Sequence, residues 1–156
     1  MIKIGIIGAG PNAEGHARYY AATPRSQVVA IADPDTGRAM SLADQTGGRS
    51  TPDFRDFLDE VDAVVISSPN FLHREHAIAC AEAGKAVYCE KPAGLNLEDA
   101  RAIADAVRKA RVVSTVGFTV RFDGTIQTMD RMLRAGELGD LISLTSRRLM
   151  YMSPAK

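Results

Sequence analysis

The apolar positions of this chain fall into short continuous runs, separated by segments in which they recur every three or four residues. Ile2–Ile7 is the first run, and Gly8-Ala9-Gly10 cuts it short. Between Pro11 and Ala22, the residues Ala13, Ala17, Tyr20 and Ala21 share one face of a 3.6-residue period, which predicts a helix. Gln27–Ala32 reads as a second strand ending at Asp33, followed by a helix to about Gln45 that Gly47-Gly48 stops. A short strand near Arg49–Thr51 and a helical turn over Asp53–Leu58 lead into Val61–Ile66. That run is rich in β-branched residues, as expected of a strand buried on both faces of a parallel sheet. A helix over Leu72–Ala83 stops at Gly84, and the strand Ala86–Cys89 follows. Asn96 caps a further helix with Asp99 at the capping-box position, its face being Ala100, Ile103, Ala104 and Val107. Val112–Phe118 is the last strand of the series.

Strands alternating with helices in this way predict βαβ units with right-handed crossovers. The fold class is therefore α/β: a doubly wound, mostly parallel sheet inside a three-layer αβα sandwich. Beyond Phe118 the pattern changes. Asp123–Ala135 suits an amphipathic helix ending at Gly136, and Leu141–Leu149 reads as one more strand with no place in the first sheet. The expected organisation is one domain over residues 1–120, then a linking helix and the first strand of a truncated second domain over residues 121–156. An unpaired, partly apolar strand either frays or recruits another copy, which would make a homo-oligomer through that edge.

Composition narrows the function classes. Nineteen basic residues balance nineteen acidic ones without clustering, which gives no electrostatic reason to expect nucleic acid or an anionic membrane as partner. No apolar run approaches the roughly eighteen residues that span a bilayer, and the N-terminus lacks a signal-peptide pattern. A cytoplasmic protein is expected. The two cysteines, Cys80 and Cys89, form no CxxC pair and fall in core elements, as small buried hydrophobes in a reducing compartment do.

Candidate chemistry begins at Gly8-Ala9-Gly10-Pro11-Asn12-Ala13, a GxGxxA variant between a predicted strand and a predicted helix. Gly8 permits the tight turn, Gly10 lets the backbone approach a pyrophosphate, and Ala13 is small enough for helix and strand to pack closely. The pyrophosphate would rest on the helix N-terminus, around Pro11 and Asn12, where unpaired N–H groups favour anions. Asp33, twenty residues past Ala13, stands where a carboxylate accepts both ribose hydroxyls. Strand, turn, helix, strand and acid in that order mark a Rossmann dinucleotide-binding fold. A P-loop is excluded, because His16 and Ala17 replace the Lys and Ser/Thr that such spacing requires. A methyltransferase also uses a glycine-rich first turn and an acid after the second strand, and stays open on these residues alone. The Asp33 charge and the following Pro34 favour NAD, whereas Arg38, able to stack on adenine or meet a phosphate, leaves NADP open.

A strand ending in Glu90-Lys91-Pro92 after such a start resembles the Gfo/Idh/MocA oxidoreductase family. The same pattern is carried by His16 six residues after Gly10, by Ser68-Pro69-Asn70-Phe71-Leu72-His73, by Gly117-Phe118 followed by Arg121-Phe122, and by Gly136-Glu137-Leu138-Gly139. The resemblance runs through essentially the whole chain, which equals the first half or less of a usual member. It implies NAD(P)-dependent hydride transfer to or from a sugar, inositol or related polyol. It also implies that Lys91 helps move the hydroxyl proton, with Glu90 holding it in place and Pro92 shaping the turn. The Pro69–His73 loop, by the same resemblance, lines the nicotinamide end of the cofactor cleft, and Arg121 lies at the domain junction. Hydride removal from a carbinol needs a proton relay near the nicotinamide, and a lysine serves if burial or a nearby cation lowers its pKa.

Other residues read more plainly. His73, Glu75 and His76 match no zinc spacing and are expected to be ordinary polar residues of a helix, so no metal is expected. His16 is expected to be satisfied locally in its own helix. Tyr88 and Lys91 give YxxK, which is not the YxxxK of short-chain dehydrogenases. Two functional classes remain: the cofactor-binding half of a hydride-transferring enzyme, or a non-catalytic dinucleotide-binding module, either a stand-alone sensor or the remnant of a truncated gene. The residues that choose a substrate belong to the family's second domain. The isolated chain is therefore expected to bind NAD(H) weakly and turn over little.

Overall fold

The computed structural model describes residues 1–147. Six strands form one sheet: β1 (Ile2–Ile7), β2 (Ser26–Ala32), β3 (Arg49–Thr51), β4 (Ala63–Ile66), β5 (Ala86–Cys89) and β6 (Ser114–Val116). Their order is β3-β2-β1-β4-β5-β6, and every pairing is parallel. Four helices make crossovers: α1 (Pro11–Ala22), α2 (Thr36–Thr46), α3 (His73–Glu82) and α4 (Leu97–Ala110). The chain winds outward from β1 to β3 and then returns to β4 beside β1. That reversal opens a crevice beyond the carboxyl ends of β1 and β4, where ligands of such sheets bind.

Alternation along the strands sorts the core into two layers. Ile4, Ile6, Ile31 and Val65 pack with Ala13 and Ala17 of α1 and Leu42 and Ala43 of α2. Ile7, Ala32, Val64, Ile66 and Cys89 face the other way, onto Phe54 and Phe57 of a 3-10 helix (Phe54–Glu60), Cys80 of α3 and Ile103 of α4. Both faces of the sheet are thus covered at Ile4–Ile7 and along β4, which is why those stretches read as unbroken apolar runs.

Caps fix where the helices begin. The Asn96 side chain accepts from the Asp99 N–H, while the Asp99 carboxylate reaches back to the N–H of Leu95, one residue earlier than a standard capping box. Gly47, at φ 74°, ends α2 in the left-handed conformation.

Four expectations need correction. β4 starts at Ala63, because Asp62 exchanges hydrogen bonds with the Lys3 backbone and Val61 ends the preceding 3-10 helix. β6 spans only Ser114–Val116, as far as β5 offers partners. Ala21 and Ala104 are exposed, so the buried stripes of α1 and α4 are narrower than periodicity suggests. Over residues 141–147 no strand forms, and Leu141, Ile142 and Leu144 are exposed; residues 148 and 149 lie outside the described range. Apolar alternation makes a strand only where another strand supplies backbone partners, and none of the described strands pairs with this segment.

The chain divides into two compact units, Met1–Phe118 and the residues from Thr119 on. The second holds a short 3-10 helix over Thr119–Phe122 and α5 (Gly124–Arg134), whose first turn is capped by the Asp123 carboxylate through Thr125 N–H at 2.9 Å. Among the described residues, no helix is long and apolar enough to cross a membrane.

Candidate functional site

The turn after β1 is held by contacts that only glycine permits. Gly8 sits at φ 93°, its N–H donates to the Ala32 carbonyl at 2.7 Å, and an added Cβ would stand 2.7 Å from the Ser67 carbonyl oxygen. Gly10 caps α1 without any side-chain bond, and a Cβ there would meet nothing within 4 Å. Open space therefore lies in front of the helix N-terminus. Pro11 occupies the first helical position, where its missing N–H costs nothing, Asn12 is exposed, and Ala13 is fully buried against the sheet. First-turn N–H groups without intrahelical partners make this space suitable for an anion.

Asp33 is bound to the same turn. One carboxylate oxygen accepts the Ala9 N–H at 2.7 Å; the other accepts the Asp35 N–H at 2.8 Å and Arg38 Nη2 at 3.4 Å. Arg38 also places Nε 3.1 Å from the Asp35 carboxylate. Only 7% of Asp33 is exposed, yet it borders a cleft of about 590 Å³, and its three bonds leave one acceptor site of the carboxylate open.

Gly8, Gly10, Asp33, Pro34 and Arg38 form one side of that cleft. The other sides are Pro52–Arg55, which follow β3, and residues 67–69, Phe71, Leu72 and His76, which follow β4. The Ser68 hydroxyl is paired with His76 Nδ1 at 2.9 Å, and the His76 ring lies 4.8 Å from that of Phe54. Burial, the largest influence, holds the His76 imidazole below its ordinary pKa of 6.5. The Ser67 hydroxyl is buried and has no hydrogen-bond partner among the described residues.

The loop after β4 divides between two settings. Ser68 and Pro69 line the same cleft as Asp33 and Arg38, and neither Glu90 nor Lys91 lines it. Asn70 is exposed outside the lining. His73 is 0% exposed and does not face the cleft: its Nδ1 lies 2.6 Å from the Pro92 carbonyl and its Nε2 2.9 Å from the Ser68 carbonyl. It ties the loop after β4 to the loop after β5. Among the described residues, no three His, Cys, Asp or Glu side chains gather where a metal ion could be held.

Glu90 and Lys91 follow β5 on the same carboxyl edge. The Glu90 N–H donates to Ile66 of β4, and the Gly117 N–H donates to Cys89. Glu90 Oε1 accepts His16 Nε2 at 2.8 Å and the Tyr88 hydroxyl at 3.4 Å, while Oε2 accepts the Lys91 N–H at 3.1 Å. Lys91 is exposed and its peptide to Pro92 is cis. Burial and the neighbouring Glu90 charge push the Tyr88 phenol up to about 12. His16 is thus not satisfied within its own helix. It bonds to a residue 74 positions away. Arg121 lies in the second unit, in the short 3-10 helix Thr119–Phe122.

Sequence reasoning missed Ser67, His76, Pro52–Arg55 and the His16–Glu90 pair. For the last, the position of His16 on α1, six residues past Gly10, was a signal. For Pro52–Arg55 there was none, since their approach to the cleft depends on how the β3–β4 connection lies across the sheet.

The profile described as "Oxidoreductase family, NAD-binding Rossmann fold" matches residues 2–118, nearly the whole of the first compact unit. The chain belongs to the Gfo/Idh/MocA oxidoreductase family. Among curated Gfo/Idh/MocA relatives, glucose-6-phosphate 3-dehydrogenase of Bacillus subtilis (strain 168) is 32% identical over 144 residues, 92% of this chain and 41% of its own length. Inositol 2-dehydrogenase 3 of Saccharopolyspora erythraea is 37% identical over 143 residues, covering 88% of this chain and 42% of its own length. Among solved structures, the WlbA dehydrogenase from Bordetella pertussis in complex with NADH and UDP-GlcNAcA superposes with a TM-score of 0.83 at 28% identity, over 88% of this chain and 43% of that one. The chain spans about two-fifths of the length of these Gfo/Idh/MocA relatives.

Proposed function

We propose that this chain is the cofactor-binding part of an NAD-dependent oxidoreductase that moves a hydride between the nicotinamide and a hydroxyl-bearing carbon of a sugar, inositol or related polyol. The observation that carries this reading is the joint between Asp33 and the glycine turn. A carboxylate fixed by the Ala9 N–H at 2.7 Å stands beside an open helix N-terminus, the spacing a ribose and its pyrophosphate require. Gly10, Asn12 and Ala13 would hold the pyrophosphate through backbone N–H groups, and Asp33 the ribose diol. NAD is favoured over NADP because a 2′-phosphate would approach the Asp33 charge, and the neighbouring Arg38 is already engaged by Asp33 and Asp35.

When bound, the cofactor supplies the hydride acceptor or donor. This chain's own task is to place it and to handle a proton. Lys91 is the residue that takes the hydroxyl proton or returns it, and Glu90 holds the Lys91 backbone. Ser68 and Pro69 wall the adenosine side, and Arg121 stands at the junction with a substrate-binding domain. Two buried, unpaired thiols suit a cytoplasmic location.

Titration with NADH, NADPH and S-adenosylmethionine tests the cofactor assignment. NADH should bind most tightly; preferential binding of S-adenosylmethionine would overturn it. Lys91→Ala in the complete enzyme should lower turnover at least a hundredfold, and an unchanged rate would remove the role given to this lysine.

A further inference from the structure

We propose that His16 is a positioning residue for Lys91, acting from α1 through the Glu90 carboxylate. The inference rests on the proposed proton-handling role of Lys91. Glu90 is held at both oxygens: His16 and Tyr88 occupy Oε1, and the Lys91 N–H occupies Oε2. A carboxylate held at one oxygen turns about its last bond; one held at both does not. The His16 and Glu90 side chains are only 19% and 12% exposed, so water competes poorly for their bond. The His16 ring is itself fixed edge-on against Tyr88, with centroids 4.9 Å apart.

Gly117 completes the arrangement. A Cβ there would lie 2.6 Å from the Tyr88 hydroxyl and 3.2 Å from Glu90 Oε2, so the end of β6 leaves room for the cluster. The Lys91 side chain is exposed and takes its direction from its backbone, which Glu90 holds. His16 stands six residues beyond Gly10, about 9 Å along one rigid helix. The seat for the cofactor phosphates and the seat for the lysine are therefore referenced to the same rod.

The test is amide hydrogen exchange by NMR on the 156-residue chain, comparing His16→Phe, His16→Gln and His16→Asn. Phe keeps a ring against Tyr88 but has no donor. Gln restores a donor at about the right reach, and Asn is polar but too short. Exchange of the Lys91 amide should rise about tenfold in the Phe and Asn variants and return toward wild type in the Gln variant. The Glu90 amide, bonded to Ile66 in the sheet, should not change. An unchanged Lys91 amide in the Asn variant, or equal effects of Asn and Gln, would overturn the proposal, and the Asn–Gln comparison decides it even if the Phe variant fails to fold. NADH affinity of the Asn variant should stay within about threefold of wild type, because His16 does not line the cleft; a tenfold loss would make His16 a cofactor residue instead. Failure of wild-type protein to bind NADH would count against the proposed function alone, since the exchange comparison needs no ligand.

Discussion

Asp33 has two duties, and substitution separates them. Removing its carboxylate with Asp33→Ala strands the buried Ala9 N–H, now bonded at 2.7 Å, and leaves the Asp35 N–H, on an exposed residue, to water. A hydrogen bond to a charged acceptor contributes about 1.5–3 kcal/mol, and the exposed one far less, so the loss is about 3 kcal/mol. For a unit of this size that corresponds to a fall in Tm of about 12 °C. Asp33→Asn can keep a carbonyl oxygen toward Ala9 but turns an NH2 toward the Asp35 N–H and Arg38, costing about 1 kcal/mol or about 4 °C. Thermal unfolding followed by circular dichroism, without ligand, measures both. In the folded Asn variant, NADH affinity should still fall about tenfold or more, because the ribose loses a charged acceptor. If the Ala variant melted within about 2 °C of wild type, the carboxylate would not be fastening the turn and the reasoning fails.

Further outcomes follow from the same contacts. Burial holds the His76 imidazole below 6.5, so the unfolded chain takes up the proton first as pH falls. Native stability should therefore be complete above about pH 6.5 and decline below it, and His76→Gln should flatten that decline in urea titrations; a parallel decline in the variant would exclude His76 as its source. Burial pushes the Cys80 and Cys89 thiols up to about 12, so neither should label with iodoacetamide at neutral pH until denaturant is added. Rapid labelling of native protein would contradict the burial. Gly8→Ala combines φ 93° with a Cβ 2.7 Å from the Ser67 carbonyl oxygen and should cost about 2 kcal/mol or more; denaturation midpoints equal to wild type would refute that clash.

Much of this architecture was legible because its signals are local. The glycine turn, the cap at Asn96, the stop at Gly47 and the β-branched run before Ser67 each act within a few residues, and they placed the strands in alternation with helices. The turn and Asp33 were legible for the same reason. Contacts across long separations were not: His73 reads as a polar residue near a helix start, and nothing nearby in sequence says that its partners are two loop carbonyls. The segment at residues 141–147 shows the converse failure, in which local alternation predicts a strand for which a ladder is also required.

The His73 bridge limits how this fold can vary. Both ring nitrogens of His73 face carbonyl oxygens and the side chain is fully buried, so neither nitrogen is open to a third partner or to solvent. Insertions or deletions between Ser68 and His73, or between Cys89 and Pro92, would pull one carbonyl off its nitrogen. Substitutions have freer ground on the outer turns, at Asn70 and Phe71 and around Leu95, where side chains are exposed and no rivet passes through.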